Sequence, residues 1–245
     1  MTAAATSADR VAVVTGAGRG IGRAVALELA RAGYSLCLAA RSRDELEETR
    51  SQSGLAPKQA LIVLVDLALE EAPDQLIGTV LDCYGHIDVL VNNAGWAPSR
   101  TPLLKMRTAD LDRMIAVNLR APIALTRLAA AAMTPRGAGT IVNVASTAAI
   151  KASAGEAVYA ATKSALIAFT RAAFHEMRRS GLKLSVIVPG LVDTALIPEN
   201  KRLDRSAMLS TADVGQAVMQ IVNSPAGACP VEVILEPQQD PERSR

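Results

Sequence analysis

From Val11 to Leu235, short runs of β-branched and aliphatic residues alternate with longer segments whose apolar positions recur at a helical period. The runs Val11–Val14, Leu36–Ala39, Leu61–Val65, Val89–Asn92, Ile141–Val144, Leu184–Val188 and Val231–Leu235 predict seven strands. Helices are predicted to begin near Ile21, Arg43, Ala72, Thr108, Ala154 and Ala212, with Gly33, Gly85 and Gly181 standing where left-handed C-terminal caps belong. Alternation of this kind implies right-handed crossovers, and hence an α/β fold: a doubly wound, parallel, seven-stranded sheet with helices on both faces. Pro122 lies within the segment joining the fourth and fifth strands and is expected to bend or split its helix. No Ser/Gly/Pro-rich linker divides the chain. Residues 10–237 are therefore expected to form a single domain, with flexible ends over 1–9 and 238–245. Residues 191–211 carry Pro198 and several charges without a clear period and read as a long loop.

With 245 residues, half of them apolar, the chain is long enough to bury one large core. A formal net charge of +2, with both signs interleaved, points to neither nucleic acid nor a membrane as partner. Cys37, Cys83 and Cys229 sit in apolar segments without metal-ligand spacing, and His86 and His175 lack ligating neighbours, so buried thiols and no metal site are expected. The opening MTAAATSADR has no apolar core, and the Ala129–Met133 run is short and follows Arg127; a cytoplasmic protein without a membrane span is expected. Aromatic residues make up only 2% of the chain, which leaves packing to Ala, Val, Leu and Ile with backbones close together.

The candidate chemistry begins at the first strand, which runs into the glycines Gly16, Gly18, Gly20 and Gly22 and then into a helix. That context lets backbone N–H groups and a helix N-terminus face a pyrophosphate. The spacing is not the G-x-G-x-x-G pattern, and an ordinary glycine-rich turn is the alternative. The second strand ends at Ala40 and Arg41, where an acidic residue would hold an adenosine ribose 2′-hydroxyl. A guanidinium there suits a 2′-phosphate, and Arg19 in the glycine turn adds a second positive group, so NADP(H) is expected over NAD(H). Farther on, Tyr159 and Lys163 are four apart in a helical segment and share a face, with Ser146 upstream. An ammonium beside a phenol favours the phenolate, and is expected to lower a pKa that otherwise lies near ~10.

In these motifs the chain resembles the short-chain dehydrogenase/reductase family from Val11 to about Thr194, and more weakly to Pro237. The family's TGxxxGIG corresponds to Thr15–Gly22, including Ile21; its third-strand adenine contact to Asp66 and Leu67; and its NNAG to Asn92, Asn93, Ala94 and Gly95. Its catalytic asparagine corresponds to Asn118, its serine to Ser146, its YxxxK to Tyr159 and Lys163, and its PGxVxT to Pro189, Gly190, Val192 and Thr194. The resemblance implies a Rossmann-like fold, NADPH-dependent reduction of a ketone or aldehyde with Tyr159 as proton donor, and a water held by Asn118. It also implies a homo-oligomer, tetramer or dimer, and a substrate lid over 191–211. There Lys201, Arg202 and Arg205 either recognise an acidic or phosphopantetheine-bearing substrate or form a solvated charged loop. The ending VEVILEP is similar to that of members acting on small 3-hydroxy acids. An NAD-linked alcohol dehydrogenase and a catalytically silent NADP-binding module are the alternatives. Trp96, directly after NNAG, either lines the pocket entrance or packs beside its loop.

Overall fold

The computed structural model describes residues 10–197 and 203–241. The N-terminus expected over 1–9, Pro198, Lys201 and Arg202 of the lid, and residues 242–245 lie outside the described residues. Seven parallel strands form one sheet in the order β3-β2-β1-β4-β5-β6-β7: β1 (Val11–Thr15), β2 (Ser35–Ala40), β3 (Ala60–Leu64), β4 (Val89–Asn92), β5 (Gly139–Val144), β6 (Leu182–Pro189) and β7 (Glu232–Leu235). The order reverses between β1 and β4, which opens a crevice at the carboxyl ends of the strands. Alternate residues of β1 point to opposite faces. Ala12 and Val14 join one apolar layer under α1 (Gly20–Arg31) and α7 (Thr211–Val222); Val11 and Val13 join a second under α3 (Ala72–Tyr84) and α5 (Ala121–Met133). Both layers consist almost wholly of aliphatic side chains. The doubly wound architecture is the one the alternating runs imply, and Gly33, Gly85 and Gly181 do take positive φ.

The helix between β4 and β5 differs in detail from expectation. The interruption expected at Pro122 falls just before it and is a change of helix type: α4 (Thr108–Ile115) passes into α5 through a π-helical turn, Ala116–Arg120, and Pro122 follows in the first turn of α5. The wider π spacing absorbs the loss of the proline N–H. The stretch Thr108–Arg136 is long and apolar enough to cross a membrane, but here Leu125, Ala129 and Met133 are buried against the sheet. The next helix, α6 (Ala157–Met177), starts three residues later than predicted, after a turn at Gly155. Between β5 and these helices runs a buried chain of amides and hydroxyls: Asn92 Nδ2 donates to Asn143 Oδ1 (2.8 Å), and Asn143 Nδ2 to Thr170 Oγ1 (2.9 Å).

Beyond β7 the chain does not leave the domain at once. Pro241 is buried, and its carbonyl accepts the Asp204 N–H (2.8 Å), so the stretch expected to be a flexible tail is held against the segment after β6 as far as Pro241.

The glycine turn is built on contacts that leave no room for side chains. A Cβ on Gly22 would fall 2.1 Å from the Gly16 carbonyl oxygen and 2.5 Å from Asn93 Nδ2, so α1 starts directly against the turn. Gly78, inside α3, has nothing within 4 Å of where its Cβ would lie. We therefore predict that Gly22→Ala destabilises the protein by about 1–3 kcal/mol, whereas Gly78→Ala stabilises it by about 0.5–1 kcal/mol. Urea unfolding of the two variants beside the parent protein tests both signs.

Candidate active site

Two cavities meet at the carboxyl ends of the strands. The first, of about 550 Å³, is lined by Gly16, Arg19, Gly20, Ile21, Arg41, Asp66, Leu67, Asn93, Ala94, Gly95, Tyr159, Lys163 and Thr194, among others. The second, of about 1140 Å³, is lined by Ser146, Tyr159, Pro189, Gly190, Val192 and Thr194, and closed on one side by Glu236, Asp240 and Pro241. Tyr159 borders both. Most of the residues singled out in the sequence therefore converge. Gly22 is a packing contact beneath the turn, Pro189, Gly190 and Val192 face the second cavity rather than the first, and Asn118 lines neither.

The turns after β1 and β4 are bolted together. Thr15 Oγ1 accepts from the N–H groups of Asn93 and Ala94, each at 3.0 Å, while Asn93 Nδ2 donates back to the Thr15 carbonyl (2.9 Å). Gly16 takes φ +65° there, and a Cβ on it would meet Asn93 Nδ2 at 2.8 Å. Arg19 caps α1 without a side-chain bond to the helix, the first turn holds no acidic residue, and Gly20 and Ile21 of that turn line the first cavity. Backbone donors at a helix N-terminus, behind glycines that let a ligand approach closely, fit the pyrophosphate of a dinucleotide. Arg19 and Arg41 line the same cavity.

At the other end Ser146 follows β5, and its Oγ accepts the Ala148 N–H (3.2 Å). The Ser146 hydroxyl also hydrogen-bonds Tyr159, which stands in the first turn of α6. One turn on, Lys163 Nζ donates to the Val144 carbonyl (2.8 Å) and lies 5.9 Å from the centre of the Tyr159 ring. Asn118, in the π-turn, brackets the Trp96 peptide: Oδ1 accepts its N–H and Nδ2 donates to its carbonyl, both at 2.8 Å. The carboxamide thus pins the loop after β4, and Nδ2 also approaches Thr162 Oγ1 at 3.4 Å.

The electrostatics run against one expectation. Burial raises the Tyr159 pKa above its usual value, the Ser146 hydrogen bond offsets part of this, and Glu156 adds to it. Burial also pushes the Lys163 ammonium down to about 8. In the protein alone, therefore, the lysine does not lower the phenol, because the same dry surroundings that raise the tyrosine weaken the charge of its neighbour.

Two residues outside the sequence argument, Arg113 and Glu45, enter the first cavity, and Trp96 takes the first of its two expected places. Arg113 donates to both Asp66 oxygens (3.2 and 2.9 Å) and stacks 5.7 Å from the Trp96 ring centre. Burial alone would raise the Asp66 pKa, but the Ala68 N–H and Arg113 bring it below the usual value. Trp96 itself borders the cavity, and so does Glu45 of α2 (Arg43–Ser53). Their cues were weak: a helix arginine and a surface glutamate carry no motif. Arg205 is engaged within its own loop, with Asp193 and the Ile197 carbonyl.

A doubly wound sheet with a dinucleotide cradle at its switch point and a serine–tyrosine–lysine cluster at the inner end of the cleft defines a Rossmann-like oxidoreductase. The family model for short chain dehydrogenases matches residues 10–204. The chain belongs to that family and is an oxidoreductase. An uncharacterized oxidoreductase of Staphylococcus aureus (strain MRSA252) is 31% identical over 229 residues, 94% of this chain and 97% of that protein. A metagenomic short-chain oxidoreductase solved in complex with NADP has a TM-score of 0.84 at 32% identity, covering 96% of this chain and 100% of that one. The serine dehydrogenase of Escherichia coli has a TM-score of 0.81 at 26% identity, covering 94% and 99%.

The buried lysine has a consequence for stability. Its folded pKa of about 8 lies below the unfolded value, so between the two the unfolded chain holds more protons and stability rises with pH. The burial penalty is fully present below pH 8. Relative to Lys163→Met, the parent protein is expected to gain about 1–2 kcal/mol between about pH 7 and about pH 9.5. Urea titrations of both proteins without added nucleotide measure the difference.

Proposed function

We propose that this protein is an NADPH-dependent carbonyl reductase, with Tyr159 as the acid at the junction of a nucleotide site and a substrate site. The observation that carries this reading is the position of Tyr159: it borders both cavities, hydrogen-bonds Ser146 and stands one helical turn before Lys163. A nicotinamide dinucleotide, when bound in the first cavity, supplies the hydride. The chain's own residues supply orientation and the proton. Ser146 hydrogen-bonds the substrate oxygen, and Tyr159 donates its proton there as charge develops on that oxygen. Its raised pKa keeps it protonated, as a donor must be. Lys163 lies deep enough to hold ribose hydroxyls from the inner end of the first cavity. Arg19 and Arg41 support NADP(H) over NAD(H) through a 2′-phosphate. The NADP complex of the similar metagenomic enzyme agrees with this assignment.

Substrates of modest size fit the second cavity. Since one similar structure is a serine dehydrogenase, small 3-hydroxy acids belong among the substrates to test, beside ketones and 3-oxoacyl thioesters. Leu103, Leu104 and Ile115 beside and within α4, and Ile234 on the edge strand β7, are exposed and support assembly into a dimer or tetramer. A cytoplasmic location accords with this chemistry.

The test is NADPH consumption with the carbonyl panel and NADP+ reduction with the hydroxy acids, each with the NAD(H) pair in parallel. Tyr159→Phe is expected to lower turnover about 10²–10⁴-fold while NADPH still binds. Turnover that survives this substitution overturns the assignment of the acid. NADPH binding without consumption of any substrate favours the silent module.

A further inference from the structure

The sequence places no carboxylate at the end of β2, yet the fold brings one to the first cavity, beside Arg19. Glu45 stands in the first turn of α2, whose position is set by several contacts. Ser42 caps the helix by accepting the Glu45 N–H, and Thr49 Oγ1 donates to the Ala17 carbonyl (2.9 Å). Arg23 ties Glu48 (2.8 Å) to the Gly18 carbonyl, to which its Nε donates at 3.0 Å. Thus one face of α2 is seated on the glycine turn. Gly18 completes the fit: a Cβ there would lie 2.9 Å from Glu45 Cβ and 3.0 Å from Glu45 Oε2, so this glycine is where the glutamate leans over the turn. Its other carboxylate oxygen pairs with Arg19 at 3.4 Å. Arg19, Arg41 and Glu45 therefore share one rim.

We infer that Glu45 sets the coenzyme selectivity of this site, as the exchangeable counter-ion of Arg19. The inference rests on the reading that Arg19 and Arg41 receive a 2′-phosphate. Such a group carries close to two negative charges near neutral pH. To be held by Arg19 it must displace the Glu45 carboxylate, and then lie beside it. A ribose 2′-hydroxyl meets no such competition, and donates to the carboxylate instead. The two arginines thus favour NADPH, while Glu45 limits the margin by which they do so. The pair is accessible, with the Arg19 side chain 66% and the Glu45 side chain 37% exposed, so the exchange needs no rearrangement of buried structure. Solvent screening also bounds the effect.

Dissociation constants for NADPH and NADH, measured by nucleotide fluorescence on the full chain, test this without a known substrate. Glu45→Gln is expected to tighten NADPH about threefold to tenfold and to leave NADH unchanged or weaker, with the NADPH gain shrinking as salt is raised. Glu45→Ala, which also removes the amide, is expected to give the same direction. If either affinity ratio stays at the parent value, or if NADPH binds more weakly to both variants, Glu45 is not a competitor and the inference falls. Arg41→Ala tests the underlying reading separately: a selective loss of NADPH affinity upholds it whatever Glu45 does. An unchanged NADPH affinity in Arg41→Ala removes the 2′-phosphate site and the Glu45 inference with it.

Discussion

The short hydrogen bonds between the β1 and β4 turns are the constraint on which the remainder of the site depends. Thr15 and Asn93 exchange backbone and side-chain bonds across the switch point, which holds the glycine turn and the loop after β4 as one unit. That loop continues to Trp96, whose peptide is bracketed by Asn118. Asn118 reaches Thr162, and Thr162 Oγ1 donates to the Tyr159 carbonyl (2.7 Å). A polar path thus runs from the phosphate cradle to the helix that carries the tyrosine and lysine. Its members are side chains bonded to backbone or, at Asn118 and Thr162, to each other.

Close packing makes this path possible. With so few aromatic residues, the layers on both sides of the sheet are filled by aliphatic side chains, and helices approach at glycine and alanine. Gly22 lets α1 begin against the turn, and Gly95 lies 3.7 Å, measured from an added Cβ, from Lys163 Nζ. The same packing buries Lys163 and leaves Tyr159 half-buried between the two cavities. It raises the phenol, lowers the ammonium, and makes each depend on a partner: the Ser146 hydroxyl for one, the Val144 carbonyl for the other.

The fold was legible because its signals are local and repeated. Seven apolar runs separated by helical periods admit few arrangements, and glycines at Gly33, Gly85 and Gly181 mark helix ends by conformation alone. The Ser146, Tyr159 and Lys163 cluster was legible for a similar reason, since residues four apart on a helix share a face whatever lies around them. The interruption near Pro122 was legible as a proline effect, but not its form, a π-turn in which Val117 and Asn118 are buried. The polar composition after Pro237 says nothing of the Asp204 N–H that the Pro241 carbonyl accepts.

By itself, then, the sequence determined the order of strands and helices, the glycine turn after β1 and the pairing of phenol with amine. Each of these follows from backbone geometry over a few neighbouring residues. Only the tertiary structure decided the direction of the pKa shifts, the part played by the Asn118 carboxamide, and the entry of Glu45, Trp96 and Arg113 into the nucleotide cavity. Those depend on desolvation and on distances between groups far apart in the chain, such as Asp66 and Arg113 or Arg19 and Glu45, which no local periodicity encodes.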